Sequence, residues 1–540
     1  MRRYAGTFAR RHCTLAMKRE STMHLTQALH KARREHPGRT AMVCAQRRTS
    51  YVELADRVER LAGALRSLGV QPGDRVAFLG LNSDFALEVC YASWWAGAVL
   101  APVNFRWSIE EMAFSLIDCG ARVLVVDELF APMVEPLRAR VPTLETVISV
   151  GDAQASNGEI SYEALIASAS RVADAYRRGD DGAVLLYTGG TTGRSKGVLL
   201  SHGGLYATTL ASISIGQRAP GIVCLHALPM FHVGGLVVML QAMVAQDTQV
   251  MLPAFDPAAY LDLIERERVV ESALVPTMIR RLIDYPALAG RALDSLERLY
   301  YGASPIDATL LEQTIARLPH VALTQFYGMT ETSGIAVALP AWCHSDESRA
   351  KGRHLAAGLP TASMEVRIAT SEGKECARGE IGEIWLRGPG VMLRYWNLPE
   401  ATAQAVQDGW MRTGDAGRID GDGLLYIVDR LKDMIVTGGE NVYSVEVENA
   451  VLSLPGVAQC AVLGVPDNDW GERVHAVLVL QPGAAVDAAA VMAHCKQLIA
   501  GYKCPRSIEF RTELPVSGAG KLLKYKLREA YWTGRERQVA

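Results

Sequence analysis

The sequence predicts an α/β protein. A large N-terminal domain of parallel α/β sheets carries a small antiparallel β unit and is followed by a small α+β C-terminal domain. Three observations predict this. Helix-period segments alternate with short, wholly apolar runs, the pattern of a parallel sheet covered on both faces. From Gly358 to Asp429 the pattern turns to strict alternation broken by glycine and proline turns. After Lys432 the order is glycine loop, helix, two strands and a helix.

The elements follow in order. Residues 51–68 place Leu54, Val58, Leu61, Ala62 and Leu65 on one face of a helix, closed by Gly69 and the Pro72, Gly73 turn. Residues 75–80 read as a buried strand, 85–100 as a helix, 121–127 and 146–150 as strands. Residues 183–200 read as strand, open loop, strand. Residues 236–244 form an apolar helix, and strand-like turns occur at 299–305 and 323–332. In the C-terminal part, 444–454 is a helix, 458–464 and 474–480 are strands, and 488–499 is the last helix expected.

At 540 residues the chain has room for roughly three or four domain-sized units, or one large and one small domain. Its net charge of −2 gives no general attraction to nucleic acid or anionic membranes. No apolar run approaches the roughly 20 residues that span a bilayer. The ten cysteines include no Cys-x-x-Cys pair, which argues against a zinc site or a disulfide framework and suits a reducing cytoplasm. Residues 1–22 hold Arg2, Arg3, Arg10, Arg11, Lys18 and Arg19 with no acid before Glu20. They have the look of a transit segment or of an over-extended start with Met17 or Met23 as the first residue, and are expected to be a disordered or mis-started leader outside the fold.

The loop of residues 188–197 combines Thr188, Gly189, Gly190, Thr191, Thr192, Gly193, Arg194, Ser195 and Lys196. Glycines let backbone N–H groups converge, and hydroxyls and Lys196 add donors, so the loop suits a polyphosphate. Gly197 and an apolar run follow Lys196, so this is not a Gly-Lys-Ser/Thr loop opening a helix. A plain glycine-rich surface turn stays open on these residues alone. His232, ahead of an apolar helix, is equally a core histidine or a site residue. Tyr327 offers a flat face to a base, and Glu331 an oxygen ligand for Mg²⁺.

Five stretches, Thr188 to Gly197, Tyr327 to Glu331, Thr413 to Asp415, Asp429 to Glu440 and Pro515 to Lys521, resemble in content and order the motifs of the acyl-adenylate-forming superfamily. That superfamily includes acyl-CoA synthetases, peptide-synthetase adenylation domains and beetle luciferase, and the likeness runs from about residue 25 onward. It implies ligation in two steps: a carboxylate attacks the α-phosphate of ATP to give an acyl-adenylate and pyrophosphate, and a thiol then displaces AMP. Under the resemblance, Thr188 to Lys196 hold the β- and γ-phosphates, and Thr191 or Thr192 together with Glu331 place Mg²⁺. Gly302, Ala303, Ser304 and Tyr327 enclose adenine, Thr330 meets the α-phosphate, Asp415 takes the ribose hydroxyls and Arg430 adds a nucleotide contact. Lys521 bridges the attacking carboxylate and the α-phosphate. Lys432 is the hinge (430–432) between an adenylation domain, 23–429, and a mobile domain, 433–540. Gly438, Gly439 and Glu440 line the pantetheine path, and Trp470, Tyr502 and Arg506 take the nucleotide of coenzyme A. Gly189 stands where the family usually has Ser, Ser195 where it has Pro, and Cys504 where a related ligase has a cation.

The acid pocket is expected between His232, Val233, Gly234 and Gly235, the turn at Gly302 and Ala303, and Gly328 with Met329. These residues are small or apolar, and no aspartate stands where an amino group would be gripped. The expected substrate is an apolar monocarboxylic acid, a medium- or long-chain fatty acid or an aromatic or alicyclic acid, with His232 gating the pocket or steering the carboxylate. ATP, Mg²⁺ and coenzyme A complete the expected partners, with no nucleic acid and no membrane span; a homodimer stays open. The alternatives are an acyl-AMP ligase loading a separate carrier protein and a non-catalytic acyl- or nucleotide-binding homologue.

Overall fold

The computed structural model describes residues 22–151, 158–188, 195–216, 219–516 and 522–533. Most of the expected leader therefore lies outside the described residues.

Two large sheets form the N-terminal part. In one, Ala322–Tyr327, Arg298–Gly302, Glu271–Leu274, Val223–His226, Thr248–Met251 and Thr40–Cys44 run parallel in that spatial order, with short antiparallel strands at both edges. In the other, Gly182–Thr188, Val99–Pro102, Arg75–Leu79, Val123–Asp127, Thr146–Val150 and Ile160–Ser161 run parallel. Its edge is antiparallel: Lys196–Ser201 pairs with Gly182–Thr188 and then with Arg394–Tyr395. The two strands of the expected strand, loop, strand arrangement are therefore antiparallel neighbours; residues 189–194 lie outside the described residues.

The alternating region forms a separate antiparallel sheet in which Gly382–Arg387 and Trp410–Ile419 are central and Leu425–Arg430 pairs with the latter. A fourth sheet is built on the long hairpin Val457–Asp467 and Gly471–Leu480, packed with helices Ser444–Leu452, Ala488–Leu498 and Lys524–Trp532. No described helix is long and apolar enough to cross a membrane.

Two expectations need correction. Residues 85–100 are not one helix: helix Asp84–Ala96 stops at Gly97, whose φ of 91° is left-handed, and Val99–Pro102 is a buried strand. Every residue of both pieces except Phe85 is buried, so no polar interruption marks the switch. Residues 488–499 are not the last helix. Lys524–Trp532 was missed because it buries only Leu527, and its anchors are ionic: Lys524 Nζ lies 2.7 Å from Glu448 and Arg528 2.6 Å from Asp433.

Two buried histidines give the fold an acid-sensitive window. Burial pushes His202 down to about 3 and His344 down to about 4. His344 Nε2 lies 2.8 Å from the Tyr301 hydroxyl, and His202 Nδ1 accepts from the Leu25 N–H at 3.4 Å. The unfolded chain takes up these protons below its ordinary histidine pKa, while the folded protein refuses them until pH 3 to 4. Their contribution is thus complete above about pH 6.5 and is lost as pH falls, at about 1.4 kcal/mol per pH unit for each histidine. The urea midpoint is expected to fall between pH 6.5 and 5, less steeply in His344→Gln; a flat midpoint in the parent protein would refute this.

Candidate active site

The strands of the first sheet end at one edge, and the loops leaving Tyr327, Gly302 and His226 gather there, as ligand sites do in open α/β sheets. Tyr327 closes its strand with its hydroxyl donating to Asp415 Oδ2 at 2.7 Å. Asp415 is paired in the small sheet with Arg430, whose Nε lies 3.5 Å from Asp415 Oδ1. Burial, and then the Asp415 carboxylate, hold the Tyr327 phenol well above its ordinary range, so it stays a donor. Three residues far apart in sequence thus form one corner: a flat ring, a carboxylate acceptor and a guanidinium.

The turn that aims Asp415 has a support that sequence reading missed. Glu383, 8% exposed, accepts from the Gly414 N–H at 3.1 Å and lies 2.9 Å from Arg412 Nη2. The Thr413 hydroxyl accepts from the Asp415 N–H at 3.0 Å and donates to the Ile384 carbonyl at 2.7 Å. A glutamate on the partner strand gives no local signal of this role.

Glu331 sits in the short turn Thr330–Thr332 and is 8% exposed. Tyr395, a second residue that sequence reading passed over, donates its hydroxyl to Glu331 Oε1 at 2.8 Å. The Tyr395 strand pairs with Lys196–Ser201, and Lys196 Nζ lies 5.0 Å from the centre of the Tyr395 ring. Met392 N–H donates to the Glu331 carbonyl at 2.7 Å. The segment 392–395 therefore stitches strand Lys196–Ser201 to the Glu331 turn. Among the described residues no three of His, Cys, Asp or Glu converge on one point. One buried carboxylate fits Mg²⁺, which takes one or two carboxylates together with phosphate oxygens and water.

His232 is the N-cap residue of helix Val233–Val244, three residues longer at its start than expected. Its ring lies 4.3 Å from that of Phe231, and the side chain is half-buried. The preceding turn is clamped by Asn82, 4% exposed, which accepts from Met230 N–H and donates to the Leu228 carbonyl, each at 2.9 Å. Gly235 packs beneath this turn, and Gly234 is half-buried beside it. Gly328 must be glycine because a Cβ there would stand 2.3 Å from the Gly334 carbonyl. A Cβ on Gly334 would in turn meet Val233 at 3.2 Å, so Gly328, Met329 and the start of the helix share one wall. Gly302, Ala303 and Ser304 leave the neighbouring strand end.

In the C-terminal part, Gly438 lies against the Trp470 ring, and the Arg506 guanidinium stacks 4.0 Å from the centre of that ring. Trp470 is nonetheless 43% exposed. Gly439 and Glu440 continue this hairpin, and Tyr502 stands in the turn Gly501–Lys503. Cys504 is buried, while neighbouring Lys503 is paired with Glu446 at 2.7 Å. Burial, and then Arg430, push the Lys432 ammonium down to about 8. The site expectations at Gly189, Gly190, Thr191, Thr192, Gly193 and Lys521 lie outside the described residues.

The family described as AMP-binding enzyme matches residues 29–396, about two thirds of the chain, and the AMP-binding enzyme C-terminal domain matches residues 446–521. The chain belongs to the AMP-binding enzymes. This AMP-binding enzyme is 39% identical over 503 residues to a feruloyl-CoA synthase of Amycolatopsis sp, covering 92% of this chain and 97% of that one. It is 36% identical over 509 residues to the fatty acid–[acyl-carrier-protein] ligase ScoC of Streptomyces coeruleorubidus, covering 93% and 95%. Among solved structures, ATP-bound MatB from Rhodopseudomonas palustris superposes with a TM-score of 0.85 at 34% identity, covering 94% of this chain and 99% of that one. This AMP-binding enzyme is thus an ATP-dependent, AMP-forming acid–thiol ligase that works through an adenylate, with ATP, Mg²⁺ and coenzyme A as its reaction partners.

Proposed function

We propose that this enzyme joins coenzyme A to a monocarboxylic acid with no second charge, aromatic or aliphatic. The observation that carries this reading is the wall of the acid site. Helix Val233–Val244 has no charged residue along its 12 positions and meets a wall of glycine and methionine at Gly328 and Met329. A second carboxylate there would need a cation, and an amino group an anion.

In this reading Asp415 accepts from the ribose hydroxyls, Tyr327 and the strand end Gly302, Ala303 and Ser304 bound the adenine, and Arg430 neutralises nucleotide charge. Thr188 to Lys196 hold the outer phosphates, with Thr191 and Glu331 as the protein ligands of Mg²⁺, which neutralises phosphate charge as it develops. Thr330 donates to the α-phosphate. His232, at the mouth of the acid site, steers the carboxylate, and Lys521 joins it to the α-phosphate. Two anions must meet in the first step, so cations and N–H donors at this point carry most of the catalysis. The chain divides at 430–432 into bodies 23–429 and 433–540, and turning about Lys432 would bring Gly438, Gly439, Glu440, Trp470, Tyr502 and Arg506 to the adenylate for the thiol step.

The test is pyrophosphate release with ATP, Mg²⁺ and a panel of acids, with and without coenzyme A, with thioester detected directly. The expected result is a coenzyme A thioester from uncharged-tail acids and none from dicarboxylates or amino acids. Adenylate without thioester would favour the second reading, transfer to a carrier protein, which the likeness to ScoC supports. Silence across the panel with ATP still bound would favour a non-catalytic homologue.

A further inference from the structure

Below the apolar wall, the sheet carries a buried polar pair. Side chains alternate along a strand, so Tyr300 and Gly302 face the same side, with Tyr300 one side-chain repeat, about 7 Å, deeper. Tyr300 packs with Val238 and Ala242 of the helix that follows His232, and its ring centre lies 5.0 Å from that of Phe326. Its hydroxyl donates to Glu271 Oε2 at 2.7 Å. Glu271 is 1% exposed and lies on the adjacent strand, where Ala273 is the register partner of Tyr300.

The surroundings of this pair are polar beyond what packing requires. A Cβ on Gly216, at the end of helix His202–Gly216, would stand 2.7 Å from the Tyr300 hydroxyl, so only glycine lets the helix end pack this close to that oxygen. One turn earlier on the same helix, Ser212 accepts from Gln241 Nε2 at 2.6 Å, while Gln241 Oε1 has no hydrogen bond. Gln249 shares the sheet face of Glu271, each being the register partner of Cys224. It is 0% exposed, and neither of its amide atoms makes a hydrogen bond. Buried amides left without partners are costly and rare in a packed interior.

We propose that the acid site ends on the Tyr300–Glu271 pair and takes a hydroxyaryl acid whose distal O–H donates to the Glu271 carboxyl. Val238, Ala242 and Phe326 give the ring flat apolar walls. This rests on the ligase reading above and narrows its substrate.

The test is kcat/KM of the full-length enzyme for 4-hydroxycinnamic acid and cinnamic acid, which differ by one oxygen, followed as coenzyme A-dependent pyrophosphate release. A site built to bond a hydroxyl discriminates far better than an apolar one, so a preference of about 100-fold or more is expected. Tyr300→Phe and Glu271→Gln are each expected to narrow that ratio at least about tenfold, chiefly through KM for the hydroxylated acid. A ratio near one in the parent enzyme overturns the proposal and leaves the ligase reading intact. An unchanged ratio in the variants, with both acids losing equally, assigns the pair a structural role and also overturns it. If Glu271→Gln does not fold, the parent ratio and Tyr300→Phe decide alone. Absence of turnover with every acid removes the ligase reading, and this proposal with it.

Discussion

Replacing Asp415 with alanine is expected to cut kcat/KM for ATP by at least on the order of 100-fold, with most of the loss in KM for ATP. Asp415 faces the Tyr327 hydroxyl on one side and Arg430 on the other. A ribose placed here would give it two charge-assisted hydrogen bonds, each contributing about 1.5–3 kcal/mol. Asp415→Asn keeps one acceptor and should lose less. ATP titration with pyrophosphate release, beside a thermal midpoint to exclude unfolding, reads this directly. A KM for ATP within threefold of the parent would show that the corner does not hold the nucleotide.

The second large effect concerns Glu331. Glu331→Gln preserves shape and still accepts from Tyr395, but it withdraws the charge that a bound Mg²⁺ would meet. Pyrophosphate release should fall on the order of 100-fold, as for loss of a transition-state electrostatic contact, and half-saturation should need more Mg²⁺. Tyr395→Phe keeps the charge and removes the hydroxyl that orients it, so a loss nearer tenfold with a smaller Mg²⁺ shift is expected. If Glu331→Gln shows the parent Mg²⁺ dependence, Glu331 is a structural partner of Tyr395 rather than a metal ligand.

What could be read along the chain was local. The paired strands Gly182–Thr188 and Lys196–Ser201 follow from apolar runs flanking glycines, and Tyr327, Glu331, Asp415 and Arg430 stand in stretches whose composition already suits nucleotide chemistry. The runs at 75–79, 123–127 and 146–150, apolar apart from Arg75, Asp127, Thr146 and Ser149, announced a sheet buried on both faces, because strands without an exposed side dispense with strict alternation.

What only the tertiary structure decided is which distant groups meet. Tyr395 reaches Glu331 across 64 positions, Glu383 holds Gly414 across 31, and Tyr300 reaches Glu271 across 29. Each pairing depends on strand order and register, and the order Ala322–Tyr327, Arg298–Gly302, Glu271–Leu274, Val223–His226, Thr248–Met251 is not the chain order. Residue periodicity tells which face of a strand is buried but not which strand lies beside it. The buried Tyr300–Glu271 pair therefore became visible only when the sheet was assembled.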